Sequence, residues 1–301
     1  MGLTVYNMKK WSRMMIGKSE MHVNQSLGAH FVPGIVSGYF NSMTEKVLKE
    51  PYLVNSEELP MNHSETGDVV FPVTIFQYGL GLYDLFLEND DVRYMDKFMQ
   101  LANWAINNQA TNGAWDNFGF FQSEAPYGSM CQGEGASLLV RAYHYTKNGI
   151  YLDAAQKAID FMLLPRSEGG TSDYTGGELT LYEFTNRPIV LNGWIFSLYG
   201  IYDLNIVLCN KEYEEALKMT VESLKNHLYR YDNGYWSMYD EGNIIASPFY
   251  HKLHISQLEA LELTFNEEVF GVYKNRFAQY SLSKWNSVRA FVIKAYQKIK
   301  E

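Results

Sequence analysis

The chain has 301 residues, with 25 Lys+Arg against 34 Asp+Glu and a formal charge of −9. With 47% hydrophobic and 20% charged residues, it has the composition of a folded globular protein and not of a disordered one. The acidic balance excludes broad nucleic-acid binding but not an acidic substrate in a local basic cleft, and no run reaches the ~18 apolar residues of a membrane span.

In chain order, Lys9, Lys10 and Arg13 precede Met14-Met15-Ile16, an apolar core too short for an export signal, so a cytoplasmic protein is expected. His22 and His30 read equally well as structural residues and as functional ones. Gly34 to Asn41 reads as a loop entering a short helix over Ser42 to Val47, and Pro51 and Pro60 bracket an extended segment. Residues 1–66 are expected to form an arm packed on a main body spanning 67–301.

From Phe71 onward the pattern is helical. Val92, Met95, Phe98, Met99, Ala102, Ala105 and Ile106 recur at helix spacing. The same holds for Ser129 to Lys147, Tyr151 to Leu163, Val190 to Leu208, Tyr213 to Leu228, Ile255 to Leu263 and Val288 to Ile299. Between them, Thr111 to Trp115, Gly169 to Ser172 and Asp232 to Trp236 read as loops or hairpins. Asn112-Gly113-Ala114-Trp115 and Asn233-Gly234-Tyr235-Trp236 look like two copies of one turn. Helix, Gly-Trp turn, small ribbon and helix is the pattern of an all-α (α/α) toroid with short β-hairpins lining one end of its cleft.

Cys131 and Cys209 are too few for a disulfide framework and have no metal-type spacing, so reduced, buried thiols are expected. The aromatic count, 23 Tyr, 17 Phe and 6 Trp, suits sugar recognition, where a ring packs on a pyranose face and a hydroxyl hydrogen-bonds.

Several segments, in order, carry a family resemblance. They are Phe71 to Leu80, Trp104 to Gln109, Gly113-Ala114-Trp115, Tyr127 to Gly135 leading into Leu139 to Tyr143, Tyr182 to Leu204, Met238-Tyr239-Asp240, and Tyr250 to Leu258. Together they resemble the D-glucuronyl C5-epimerases, which convert D-glucuronate to L-iduronate within heparosan-type polysaccharides. The resemblance implies an (α/α) toroid, no organic cofactor and no metal, an acidic uronate-containing polysaccharide or oligosaccharide as partner, and a homodimer. Two departures stand out. The β-sandwich insertion of the longer animal members is absent, and Thr180-Leu181 and Glu241-Gly242 replace an acidic and a basic family position.

Inverting C5 of a uronate removes a carbon-bound proton and returns one from the opposite face, while charge builds on the carboxylate. By resemblance, the catalytic tyrosines fall on Tyr182, Tyr239 and Tyr250, with Tyr182 paired across the ring with one of the other two. Gln77, Asn192, His251 and His254 match family positions as substrate contacts, and Tyr78, Tyr127 and Gln132 lie in the matching segments. From the residues themselves, Arg187 is a carboxylate clamp or a surface arginine, and Glu178 or Glu183 replaces the missing acid or is solvated. Glu134, in a small-residue helix start, is expected near the cleft. His251 and His254, three apart, are weak as a zinc pair and better suited to holding sugar or poising Tyr250. Uronan lyase, glycoside hydrolase and catalytically silent glycan-binding readings stay open beside the epimerase.

Overall fold

The computed structural model describes residues 23–49, 53–54, 59–64 and 67–300; His22, Pro51 and the start of the predicted arm lie outside them. The first elements are α1 (Thr44–Leu48) and a three-stranded antiparallel sheet of β1 (Leu53–Val54), β2 (Pro60–Ser64) and β3 (Gly67–Val69). Next come α2 (Pro72–Asn89), α3 (Val92–Asn107), α4 (Ser129–Thr146) and α5 (Gly149–Leu163). The hairpin β4 (Ser172–Thr175) and β5 (Glu178–Leu181) leads to α6 (Leu191–Leu208) and α7 (Lys211–His227). The chain ends with α8 (Pro248–Phe265), α9 (Glu268–Leu282) and α10 (Lys284–Lys300).

Two layers of helix follow from two kinds of sequence. Helices α2, α4, α6 and α8 are apolar or small-residue on nearly every face, so most of their residues are buried. They pack side by side in that order, and each is backed by the helix that follows it: α3, α5, α7 and α9. This is the inner and outer ring arrangement of an (α/α) toroid. The outer α3, α5 and α7 are amphipathic and start on side-chain caps, with Asp91, Asn148 and Asn210 accepting from the N–H groups of Arg93, Ile150 and Glu212.

The expected arm is part of the core. Tyr39, Phe40 and Met43 are fully buried. The Tyr39 N–H donates to Asp84 of α2 (2.9 Å), Gly38 accepts from Arg141 of α4 (3.0 Å), and Asn41 donates to Ser256 of α8 (3.0 Å). The boundary at 66/67 falls inside the β2–β3 hairpin, where Ser64 pairs with Gly67.

The two Gly-Trp turns share one geometry. Gly113 and Gly234 take φ of 88° and 83°, and the preceding asparagines accept from backbone N–H groups two or three residues ahead. Each tryptophan is buried and donates to a helix-end carbonyl or strand partner, Trp115 to Ala105 (2.8 Å) and Trp236 to Ala246 (3.0 Å). Cys131 is buried and free as expected; Cys209, at the end of α6, is exposed.

A buried ion pair ties the inner layer together. Arg141 of α4 meets Asp203 of α6 at 2.6 Å, with 1% and 2% of the two side chains exposed, and also donates to the Ser137 carbonyl. Removing one partner leaves an uncompensated charge in the core. Asp203→Asn and Arg141→Leu are therefore expected to lose about 3–5 kcal/mol each in urea unfolding, and an Arg141→Met/Asp203→Leu double variant less than either single one.

Candidate active site

Because each inner helix is followed by an outer one running back, the four inner helices begin at the same end of the fold. Three of those starts have no side-chain cap, with Phe71, Gly128 and Val190 in the capping position. Helix N-termini carry partial positive charge, so this end suits an anionic ligand. The loops that precede the inner helices deliver most of the candidate residues here.

Tyr239 is fixed by backbone on both sides. Its N–H donates to Ile244 (2.7 Å), and its carbonyl accepts from Leu191 at the start of α6 (3.1 Å). Asp240 closes the turn after it by accepting from the N–H groups of Gly242 and Ile244. Tyr250 lies in the first turn of α8, where its N–H reaches the capping Ser247 hydroxyl. The two rings meet with centroids 4.8 Å apart and tilted by 58°. Burial pushes both phenols above their ordinary range, and a hydrogen bond between the side chains works the other way at Tyr250.

Glu183 lies close enough to this pair that its ionised form would push both phenols further up. Its carboxyl lies on the first turn of α6 at Gly193, where a Cβ would stand 2.4 Å from Glu183 Oε2. That oxygen is buried and has no protein partner. Burial raises the Glu183 carboxyl to about 8, with Arg187 acting in the opposite direction. Glu134 of α4 is likewise buried and raised by burial to about 8, while Oε1 accepts from Gln77 Nε2 at 2.8 Å. Both acids hold their protons at neutral pH and are donors in waiting.

Three more polar groups line the adjoining interior. Tyr250, His254 and Gln257 share one face of α8 at i, i+4 and i+7. Gln257 donates to the Asn192 carbonyl (3.1 Å), and Asn192 Oδ1, His254 Nε2 and Gln257 Oε1 are all buried with no protein partner. Buried polar atoms left unpaired by protein are uncommon, and several in one region mark a place for a polar ligand. Gln257 was not singled out in the sequence, although its i+7 spacing from Tyr250 is the signal. Lys294 of α10, whose ammonium lies 5.4 Å from the Tyr239 ring centroid, has no local signal, since α10 comes from the far end of the chain.

Tyr182 occupies a groove beside this centre. Its N–H donates to Thr171 and its carbonyl accepts from Ser129 at the start of α4, both at 2.9 Å. The Arg166 guanidinium lies 3.8 Å over its ring. The same groove, about 520 Å³, is lined by Asn186, Arg187, Pro188, Ile189 and Glu241 as well. Arg187 is exposed, rests on the Phe184 ring at 4.7 Å, and donates to Gln122 (3.4 Å). Tyr127 lines a neighbouring groove.

Other candidates have packing roles. Gln132 uses its amide on the Trp115 backbone, accepting from N–H (3.0 Å) and donating to C=O (3.1 Å), so it clamps the first Gly-Trp turn. His251 stacks on Trp236 at 3.7 Å, accepts from Ser237 N–H and donates to the Phe277 carbonyl. Both ring nitrogens are used, which removes it from sugar contact, and burial lowers it to about 4. His254 shares Ser237 Oγ with it, so the pair is a hydrogen-bonded relay of neutral rings. Glu178 sits on the rim, accepting from His227 and Asn226. Tyr78 is half-buried against the core. Among the described residues no group of three or more His, Cys, Asp or Glu could hold a metal, and no helix is long and apolar enough to cross a membrane.

The raised carboxyls carry a stability signature. Glu134 and Glu183 near 8, with Asp84 of α2 near 7, retain protons in the folded state that an unfolded chain has lost, so they make stability fall as pH rises. His227, raised by its bond to Glu241, has the same sign above its ordinary 6.5. His251, neutral when folded, opposes this only below 6.5. Tm is therefore expected to decline from pH 6.5 to 8, and Glu183→Gln to flatten the decline in a calorimetric series.

The family described as D-glucuronyl C5-epimerase C-terminus matches residues 99–279. The D-glucuronyl C5-epimerase of Caenorhabditis elegans is 28% identical over 216 residues, covering 62% of this chain and 35% of that protein. An uncharacterized protein of Methanocaldococcus jannaschii is 29% identical over 161 residues, 50% of this chain and 51% of its own length. The chain thus spans about a third of the first relative and about half of the second. Among solved structures, the cellobiose 2-epimerase of Spirochaeta thermophila aligns with a TM-score of 0.47 at 10% identity, over 68% of this chain and 57% of that one. The family match takes in more than half of the chain, including Tyr182, Tyr239 and Tyr250, and by it the chain belongs to the D-glucuronyl C5-epimerase family through that family's C-terminal domain.

Proposed function

We propose that the protein is a uronate C5-epimerase acting on D-glucuronate residues of a heparosan-type polymer. The observation that carries the reading is the hydrogen-bonded Tyr239–Tyr250 pair set against a protonated Glu183 at an uncapped helix start. In the pair, Tyr239 donates to Tyr250 and so offsets part of the upward push of burial on the Tyr250 phenol, and on this asymmetry we assign Tyr250 as the base. Lys294 and Arg187 place positive charge at Tyr239, the hydrogen-bond partner of that base.

In the forward step the C5–H bond breaks and its proton passes to the Tyr250 phenolate. The bonding electrons move into the uronate carboxylate, which becomes an enediolate with charge on its oxygens. Arg187 forks those oxygens and the Glu183 O–H donates to one of them, strengthening as charge builds. Tyr182, on the groove side, then returns a proton to C5 from the other face and takes up its own from solvent, while Tyr250 releases the C5 proton to solvent, which restores both groups. The sugar gains and loses one proton, so no redox partner is needed.

This order of events makes two carboxylic acids compatible with epimerisation and less so with hydrolysis. A glycoside hydrolase needs one ionised carboxylate opposite a protonated acid, whereas Glu134 and Glu183 are both held protonated by burial.

Incubation with heparosan in heavy water tests the reading by nuclear magnetic resonance at C5. Deuterium is expected at C5 in both epimers, without chain cleavage. Tyr250→Phe and Tyr239→Phe are each expected to slow the exchange by about 10²–10⁴-fold, the usual range for a proton-transfer group. An ultraviolet-absorbing unsaturated end would show a lyase instead, and undiminished exchange in both variants would remove the tyrosine pair from the chemistry.

A further inference from the structure

Arg166 is the junction of two surface grooves. One, about 520 Å³, holds Tyr182 and Arg187. The other, about 330 Å³, runs past Tyr127, Gly170 and Glu124. Arg166 and Asn186 line both, so the two are continuous at these residues. Each falls in the range of roughly 300–1,000 Å³ seen for ligand sites.

The arginine is held ready. Its Nη2 donates to Asp173 of β4 at 2.7 Å, its Nη1 donates to the Thr185 carbonyl at 2.9 Å, and its plane lies on the Tyr182 ring. Nε is buried and has no protein partner. A guanidinium so fixed loses little freedom when it binds an anion. The charges around it favour that anion at the near groove. Arg187 forms no ion pair among the described residues, and the Glu241 carboxylate is already neutralised by His227 (2.6 Å) and Arg230 (2.8 Å). Asp173 offsets part of the Arg166 charge, and the exposed Glu124 is the one uncompensated acid at the far end of the second groove. The half-buried Tyr127, edge-on to Phe161 at 4.9 Å, offers a ring for sugar stacking there.

We propose that these two grooves form an extended subsite for the polymer, in which Arg166 binds the carboxylate of a second uronate while Arg187 serves the reacting one. The inference rests on the epimerase reading above. It makes the enzyme selective for chains with at least two uronates, one reacting and one anchoring.

A length series of alternating uronate and N-acetylglucosamine oligosaccharides tests it, through the KM for C5 exchange and its salt dependence. Adding the second uronate is expected to lower KM about tenfold, the worth of one charge-assisted fork. Arg166→Gln, and Asn186→Trp as a block at the exposed junction, are each expected to erase that gain and to flatten the salt dependence. Arg166→Lys, which keeps the charge without the fork, should recover only part of it. A length gain that survives both Arg166→Gln and Asn186→Trp, or no gain in the unmodified protein, overturns the subsite. Calorimetric titration of the same oligosaccharides separates the two ideas. No exchange at any length overturns the epimerase reading, while length-dependent affinity lost in Arg166→Gln would still uphold the subsite.

Discussion

The site depends on how closely α4 and α6 approach. A Cβ on Gly200 would lie 2.5 Å from the Gly133 Cα, and one on Gly133 would lie 2.6 Å from the Ser197 Cα. The two helices therefore touch backbone to backbone, which only glycine permits at these positions. Further along, Arg141 and Asp203 hold the same pair, and near the cleft Ser197 reaches Ser129 at 2.8 Å. Glu134 follows Gly133 directly, and Asn192 and Gly193 open α6. Any spreading of the crossing moves the polar groups of both helices relative to Tyr239, which is itself bonded to the start of α6. Proton transfer tolerates little such movement, because a misplacement of about 1 Å can cost about 10²-fold.

The outer helices α3, α5 and α7 are legible in the sequence because only one of their faces is buried. The α3 pattern over 92–106 corresponds to the helix Val92–Asn107. Helix α2 has no such period; it is apolar or small all round because it is enclosed, and the family resemblance marked it instead of spacing. Helix α9 shows no clear period because its fully buried residues are only Phe270, Gly271 and Phe277, with Val269, Tyr273 and Tyr280 half-buried against the core. The arm is expected to pack on the main body, and residues 23–43, with little regular structure, do so through the buried Tyr39, Phe40 and Met43.

Within the site, the tyrosines could be named from matched segments, but their company could not. Glu178 and Glu183 looked interchangeable in sequence. The hairpin sends the first to the rim, toward His227, and the turn after β5 lays the second on α6 at Gly193, where a missing side chain leaves room for it. Gln132 and His251 fell in matched segments for a different reason. They hold the Gly-Trp turns and the Trp236 stack in place, so they serve the site without meeting a substrate. Short motifs do not separate these two kinds of residue, because both are fixed by the same local geometry.

For the uronate substrate proposed above, two buried acids beside it oppose binding only when ionised. Ionised, they would repel a uronate; protonated, they donate hydrogen bonds to it. Desolvation decides between these states, since it holds Glu134 and Glu183 protonated until about pH 8. A bound carboxylate strengthens the preference, because a neighbouring negative charge disfavours a second one. By linkage, whatever the substrate does to hold those protons, the protons do to hold the substrate. Under the proposed epimerase reading, the burial that lowers the stability of the free protein above neutral pH is thus the same property that would let an overall acidic chain accept an acidic sugar.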